Sequence, residues 1–201
     1  MKAERITDIQ PDRTVDDIIR QCKEGDPRAF THLVRSHQPY AFALAFRMLS
    51  DEDEASEIVQ ESFIRVWKNM HRYDPSQKFT TWLYAIVSRL CLDRIRSLAR
   101  SRKLFRRRSE STLLEGPYDP TDPEKILTNR EIATIIAQLS EDLSPTQRLV
   151  FTLRDLQQCT IEEVCEITGL STGSVKTNLS YARRQIRHRL VQQYDITGSQ
   201  P

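Results

Sequence analysis

Apolar positions recur along this chain with the spacing of helices, and the segment 53–70 shows it most clearly: Ala55, Ile58, Val59, Ser62, Phe63, Val66, Trp67 and Met70 fall on one stripe. Upstream, Asp26 and Pro27 supply an N-cap and a first-turn proline, and Phe30, Leu33 and Val34 continue as an apolar face. A further helix is expected to start near Pro39, since an interior proline normally breaks a helix. Asp74-Pro75 signals a turn, after which Thr80 or Thr81 is placed to cap a helix bearing Trp82, Leu83, Ile86, Leu90 and Leu98. Gly116, Pro117, Pro120 and Pro123 interrupt the pattern, so 109–123 reads as an extended linker.

Beyond the linker, Ile132, Ile135, Ile136 and Leu139 mark one helix, and two capping boxes open the next two. Ser144 with Gln147 precedes Leu149, Val150 and Leu153; Thr160 with Glu163 precedes Val164 and Ile167. Gly169-Leu170 then makes a turn and Ser171 caps a longer helix. A short helix, a turn containing glycine and a longer helix are the helix-turn-helix pattern. No long alternation of apolar and polar residues is present, and 201 residues contain only five glycines. The expected fold is all-α: two small helical domains joined by a flexible linker, the C-terminal one a helix-turn-helix domain.

At 100° per residue, Val175, Leu179, Ala182, Ile186 and Leu190 form the inner stripe of the last helix. Thr177, Tyr181, Arg184 and His188 lie opposite, flanked by Ser180 and Arg187. Small and hydroxyl side chains near the start of such a helix allow close approach to a major groove, with later arginines reaching phosphates or guanine edges. Arg187 and Arg189 are expected to supply phosphate affinity, and Tyr181 and Arg184 sequence choice.

Charge changes the picture more than composition does. The formal net charge is only +2, yet Asp51 to Glu61 holds six acids and no base, whereas Arg89 to Arg108 holds nine bases and one acid. Segregation of this kind suits two partners, because an acidic face repels the phosphate backbone that a basic one attracts. Tyr73, Phe79, Trp82 and Tyr84 stand directly before the basic run, and rings beside cations are what single-stranded nucleic acid requires. For Phe79 and Trp82 a place in the core is an equally open reading.

Neither a membrane-length apolar run nor an apolar leader is visible, so the chain is expected to stay in the cytoplasm. Cys22, Cys91, Cys159 and Cys165 lack C-x-x-C spacing and read as reduced buried thiols, with a Cys159–Cys165 redox pair as the alternative. No catalytic or metal-binding constellation is expected, and no cofactor.

Three stretches, "EIVQESFIRVWKN", "FTTWLYAIVSRLCLDRIR" and "LSPTQRLVFTLRDLQQCTIEEVCEITGLSTGSVKTNLSYARRQIR", resemble bacterial RNA polymerase sigma factors of the extracytoplasmic-function (ECF) group. The resemblance runs from about Asp26 to Leu190. It implies a non-enzymatic initiation factor, linked to stress responses, that binds core RNA polymerase, directs it to promoters and helps to open the DNA. The implied organisation is an N-terminal extension (1–25), sigma domain two (26–108), linker (109–123), sigma domain four (124–195) and tail (196–201). Residues implied at the clamp of the beta-prime subunit are Glu57, Gln60 and Glu61. Those implied at the minus-ten DNA are Tyr73, Gln77, Lys78, Phe79, Trp82 and Arg89, the last standing where the family commonly has asparagine. Those implied at the minus-thirty-five element are Lys176, Thr177, Asn178, Ser180, Tyr181 and Arg184, although helical projection sets Asn178 on the flank of the buried stripe. An anti-sigma factor is a further implied partner.

Outside that resemblance, two other readings compete. A helix-turn-helix repressor or activator would bind duplex without polymerase and has no use for "KFTTWLY". A nucleic-acid-processing enzyme would need a metal or nucleophile constellation.

Overall fold

The computed structural model describes residues 15–105, 135, 139–140 and 142–194, and no strand occurs among them. Helix α1 (Val15–Lys23) opens on Asp16 and Asp17 and ends near Arg20 and Lys23, a charge order that complements the helix dipole. Its Ile19 and Cys22 are buried, so this part of the N-terminal segment packs on the helix that follows.

Helix α2 (Pro27–Leu49) is capped as its sequence implies, Asp26 accepting from the Arg28 amide at 2.8 Å with Pro27 in the first turn. It does not break near Pro39. The expected second helix is instead the continuation of the same one, with Pro39 on the exposed side. The physical reason is burial: the stripe begun by Ala29 and Leu33 continues through Ala41, Leu44, Ala45 and Met48. Fully burying Leu33, Leu44 and Met48 is worth about 1.5–3 kcal/mol each, which outweighs the roughly 3 kcal/mol that an interior proline costs.

Helix α3 (Glu52–Asn69) is capped by Asp51, which accepts from the Glu54 amide at 2.9 Å. Ala55, Ile58, Val59, Ser62, Phe63 and Val66 turn inward, and a 3₁₀ turn, Met70–Arg72, brings Met70 in behind them. Trp67, assigned to the same stripe, stays 39% exposed and rests on Phe30, ring centroids 4.7 Å apart.

Helix α4 (Phe79–Phe105) starts before either threonine expected to cap it. The carbonyl of Lys78 accepts the first helical bond, from the Trp82 amide, and Thr81 is buried inside the helix. Burial of Phe79 sets this start: an aromatic ring anchored in the core fixes the chain's entry more firmly than a hydroxyl cap would. Leu98, expected on the inner face, is exposed.

In the C-terminal half, helix α5 (Pro145–Phe151) carries the Ser144–Gln147 capping box, the two bonds at 3.3 and 3.0 Å. A π-helical turn, Thr152–Leu156, continues it, closed by the Gln157 amide donating to the Thr152 carbonyl. Helix α6 (Ile161–Thr168) carries the Thr160–Glu163 box at 3.2 and 2.7 Å, and ends at Gly169 with φ +71°. Ser171 accepts from the Ser174 amide and starts α7 (Thr172–Tyr194). Val175, Leu179, Ala182 and Ile186 are buried and Leu190 is half-buried, as the projection required. The helix expected around Ile132 to Leu139 lies mostly outside the described residues; its Ile135 and Leu139 pack with Leu143, Ala182 and Ile186. The linker 109–123 also lies outside them.

The halves touch. One cluster of buried apolar side chains runs from Ile19 through Leu90 and on to Leu149, Leu153, Cys159 and Val164. Lys78 Nζ meets Glu163 Oε1 at 2.7 Å, the Tyr84 hydroxyl donates to Gln157 Oε1 at 3.2 Å, and Arg148 donates to the Met48 carbonyl at 3.1 Å. Cys22, Cys91 and Cys159 are buried free thiols, pushed by burial to about 11, 12 and 11 respectively, and Cys165 is a half-buried free thiol.

Candidate functional site

Three surfaces carry the residues singled out in the sequence. The first lies between α3 and α4, a groove of about 490 Å³ floored by Ile58, Ile64 and Leu90 and edged by Glu57, Gln60, Glu61, Asp93 and Arg94. Arg94 bridges two turns of α3, pairing with Glu54 and, at 3.0 Å, with Glu57. These carboxylates hold the guanidinium charged more firmly than usual, the hydrogen bond that Arg94 donates to Glu57 contributing most. Glu61 accepts from Arg65 at 2.8 Å. All three residues expected at the clamp therefore converge on one groove. Ile64 and Arg94 belong to it too and escaped the sequence reading. The signal for Ile64 was an isoleucine off the buried stripe, 47% exposed, one turn beyond Gln60 and Glu61.

The second surface is the turn before α4. Asp74 accepts from the Ser76 amide at 2.9 Å and the Gln77 amide reaches the Asp74 carbonyl, a side-chain-closed turn that explains the Asp-Pro pair. Tyr73 donates to the Gln77 carbonyl at 2.5 Å. Tyr73, Phe79 and Trp82 form a ring cluster with centroids 5.2–6.0 Å apart, and His37 adds an edge contact to Phe79 at 4.8 Å. Burial lowers the His37 pKa. Tyr73 and Phe79 are both 4% exposed, so each is core, and Trp82 is the half-buried member of the cluster. Arg89 is exposed, seven residues beyond Trp82 on the same face of α4 and about 10 Å along it. Gln77 and Lys78 sit at the rim.

The third surface is the outer face of α7. Lys176, Thr177, Ser180, Tyr181 and Arg184 are all exposed. Asn178 is half-buried and donates back to the Ser174 carbonyl at 2.8 Å, which fits its position on the flank. The Arg184 guanidinium lies 5.2 Å from the Tyr181 ring centroid, and Gln185 donates to the Tyr181 hydroxyl at 3.1 Å. Two arginines turn elsewhere. Arg183 makes a two-bond contact with Asp155 at 2.6 and 2.8 Å, and Arg189, expected at phosphates, is paired with Asp142. The correction has a simple cause: acids far off in sequence are folded back onto this helix and bind it to the π-helical turn after α5 and to the turn before α5. Arg187 remains exposed.

Comparison with known proteins places these surfaces in context. Residues 33–101 match the model of sigma-70 region 2, and residues 130–186 match that of sigma-70 region 4. The ECF RNA polymerase sigma factor SigW of Bacillus subtilis is 32% identical over 179 residues, covering 86% of this chain and 94% of that protein. The ECF sigma factor SigE of Mycolicibacterium smegmatis is 27% identical over 177 residues, covering 87% and 67%. In fold, the chain is similar to the sigma factor RpoE solved with the anti-sigma factor NepR from Bartonella quintana, with a TM-score of 0.64 at 19% identity over 80% of this chain and 96% of that one. It is similar also to CnrH solved with the cytosolic domain of CnrY, with a TM-score of 0.62 at 23% identity over 88% and 96%. With both sigma regions matched in order, and with a relative matched along nearly its whole length, the chain belongs to the ECF sigma factors of bacterial RNA polymerase.

Proposed function

We propose a division of labour among the three surfaces of this sigma factor. As a sigma factor the chain binds core RNA polymerase, directs it to specific promoters and helps to open the DNA; it is not an enzyme, since the nucleotidyl transfer belongs to the polymerase. Its work is to be done in the cytoplasm, beside the polymerase, and no helix among the described residues is long and apolar enough to cross a membrane.

The unit 26–108 is assigned to the polymerase and the minus-ten region, and 124–195 to the minus-thirty-five element. The observation that carries this assignment is the sorting of charge by surface. The α3–α4 groove has an apolar floor and carboxylates at its edge, which suits a protein partner bearing cations. The outer face of α7 is free of acids and carries Lys176, Thr177, Ser180, Tyr181 and Arg184. Glu57, Gln60 and Glu61 are thus assigned to the clamp, with Ile64 as an apolar anchor.

At the minus-ten strand, Gln77, Lys78, Trp82 and Arg89 are assigned direct contacts. Buried Tyr73 and Phe79 support them by shaping the loop and Trp82. An anti-sigma partner completes the reading; the neighbour from Bartonella quintana was solved with one.

Co-purification with core polymerase tests the first assignment. Gln60→Ala combined with Glu61→Ala is expected to reduce recovery of the complex, and unchanged recovery would remove these residues from the interface. Run-off transcription with core enzyme tests the activity itself, because a simple repressor cannot confer initiation.

A further inference from the structure

The outer face of α7 presents hydroxyl groups, and a hydroxyl can either give or take a hydrogen bond. On this helix the direction of two of them is set by neighbours. Thr177 uses its proton inside the helix, donating to the Gly173 carbonyl at 3.0 Å, so its lone pairs are what it offers outward. Tyr181 is set the other way. Its oxygen accepts from the side-chain amide of Gln185, one turn further on, at 3.1 Å, which leaves the phenol proton for a partner outside the helix.

The rest of the surroundings hold this arrangement in place. Tyr181 is 37% exposed, so its hydroxyl is open to a partner, whereas Gln185 is half-buried on the flank of the helix. The Arg184 guanidinium lies 5.2 Å from the ring centroid and covers one face of the ring. A phenol O–H lies in the plane of its ring. With the ring held on one face and its oxygen engaged by an amide, the O–H is aimed away from Gln185.

We infer that Gln185 is a positioning residue for base choice: it holds the Tyr181 hydroxyl as a donor, so that Tyr181 selects a base with a major-groove acceptor and rejects cytosine. The inference rests on the assignment of this face to the minus-thirty-five element. Guanine offers N7 and O6 in the major groove and thymine offers O4, whereas cytosine presents only its amino group. Adenine presents one acceptor and one amino group and falls between. A donor facing an amino group leaves both without a partner once water is displaced, and that loss exceeds what one good bond gains.

The test uses holoenzyme assembled with the full chain, which selects from promoter duplexes randomised throughout the minus-thirty-five element; the bound duplexes are sequenced. Tyr181→Phe keeps the ring under Arg184 and removes the hydroxyl. It is expected to flatten the preference at one position, which identifies the base pair that Tyr181 reads. There the native chain should favour guanine or thymine over cytosine by about two- to ten-fold, the range of one hydrogen bond. A glutamate at position 185 carries acceptors only, so it takes the phenol proton and turns the lone pairs outward. Gln185→Glu should therefore reverse the order at that position, toward cytosine and adenine, while other positions keep theirs. Gln185→Leu frees the hydroxyl to rotate and should bring the ratio close to one; it carries the test alone if the glutamate variant does not assemble.

A merely structural role for Gln185 would weaken all promoters together and leave the order of bases as in the native chain. That unchanged order in either Gln185 variant, or a native preference for cytosine at the Tyr181 position, would overturn the inference. Failure of the underlying reading looks different, since Tyr181→Phe would then leave the preference at every position as it was.

Discussion

Arg183, Arg184, Arg187 and Arg189 carry the same charge and do different things. Arg183 and Arg189 are held by Asp155 and Asp142, so they secure α7 to the rest of its half. Arg184 leans over Tyr181, whose hydroxyl accepts from Gln185, and this places a guanidinium and a phenol side by side on the exposed face. A guanidinium can read the two acceptors of a guanine, and a good contact of this kind discriminates by about 1–3 kcal/mol. Arg184→Ala is therefore expected to weaken some promoters and spare others. Arg187→Ala should weaken all promoters alike and lower the salt dependence by about one phosphate. Binding to a promoter panel across a salt series separates the two, and a uniform loss with Arg184→Ala would remove it from base reading. The sequence could rank these arginines by helical angle. It could not show that two were already occupied, because their partners lie 28 and 47 residues away.

At the scale of elements, what was legible is what is decided locally. Both capping boxes, the Asp26–Pro27 start and the inner stripe of α7 follow from residues within a few positions of one another. The continuous α2 and the π turn at Thr152–Leu156 were not legible. Packing of Leu44 and Met48 against other helices keeps α2 whole past Pro39, and the π turn carries Asp155, whose partner Arg183 lies 28 residues further on. Two glycines of the helix-turn-helix give predictions of opposite sign. Gly169 ends α6 at φ +71° with open space where a methyl group would sit, so Gly169→Ala meets no clash and suffers only the left-handed backbone cost, about 1–2 kcal/mol of lost stability. Gly173 lies within α7 in helical geometry, again with open space, so Gly173→Ala should gain up to about 1 kcal/mol. Urea unfolding of the two variants checks both signs.

For the whole molecule, two helical halves were visible in the sequence and their contact was not, since it depends on side chains at the loop before α4 and at the start of α6. That contact gives the closed form, the two halves packed together through Lys78 and Glu163, a definite response to pH. Glu163 has a lowered carboxyl pKa, chiefly through its hydrogen bond from Lys78 and then through the Thr160 amide. Lys78 has a raised one, through the same bond to Glu163. The groups facing Glu163 are thus Lys78 from the other half and, from its own half, the Cys159 thiol, which burial keeps protonated. A lowered carboxyl pKa contributes stability above the ordinary carboxylate range and loses it as pH falls through the lowered value. A raised ammonium pKa contributes below the ordinary lysine range and loses it as pH rises through the raised value. Closure should therefore be strongest from neutral to mildly alkaline pH and weaken toward acid. Salt should weaken it as well, because at 1 M the screening length shrinks to about 3 Å. Small-angle scattering of the free chain is expected to report a larger radius of gyration under mild acid or high sodium chloride. In Glu163→Gln the radius should respond less to either change. A native chain whose radius ignores both conditions would mean that the apolar cluster alone holds the halves together, leaving the ion pair without a part in closure.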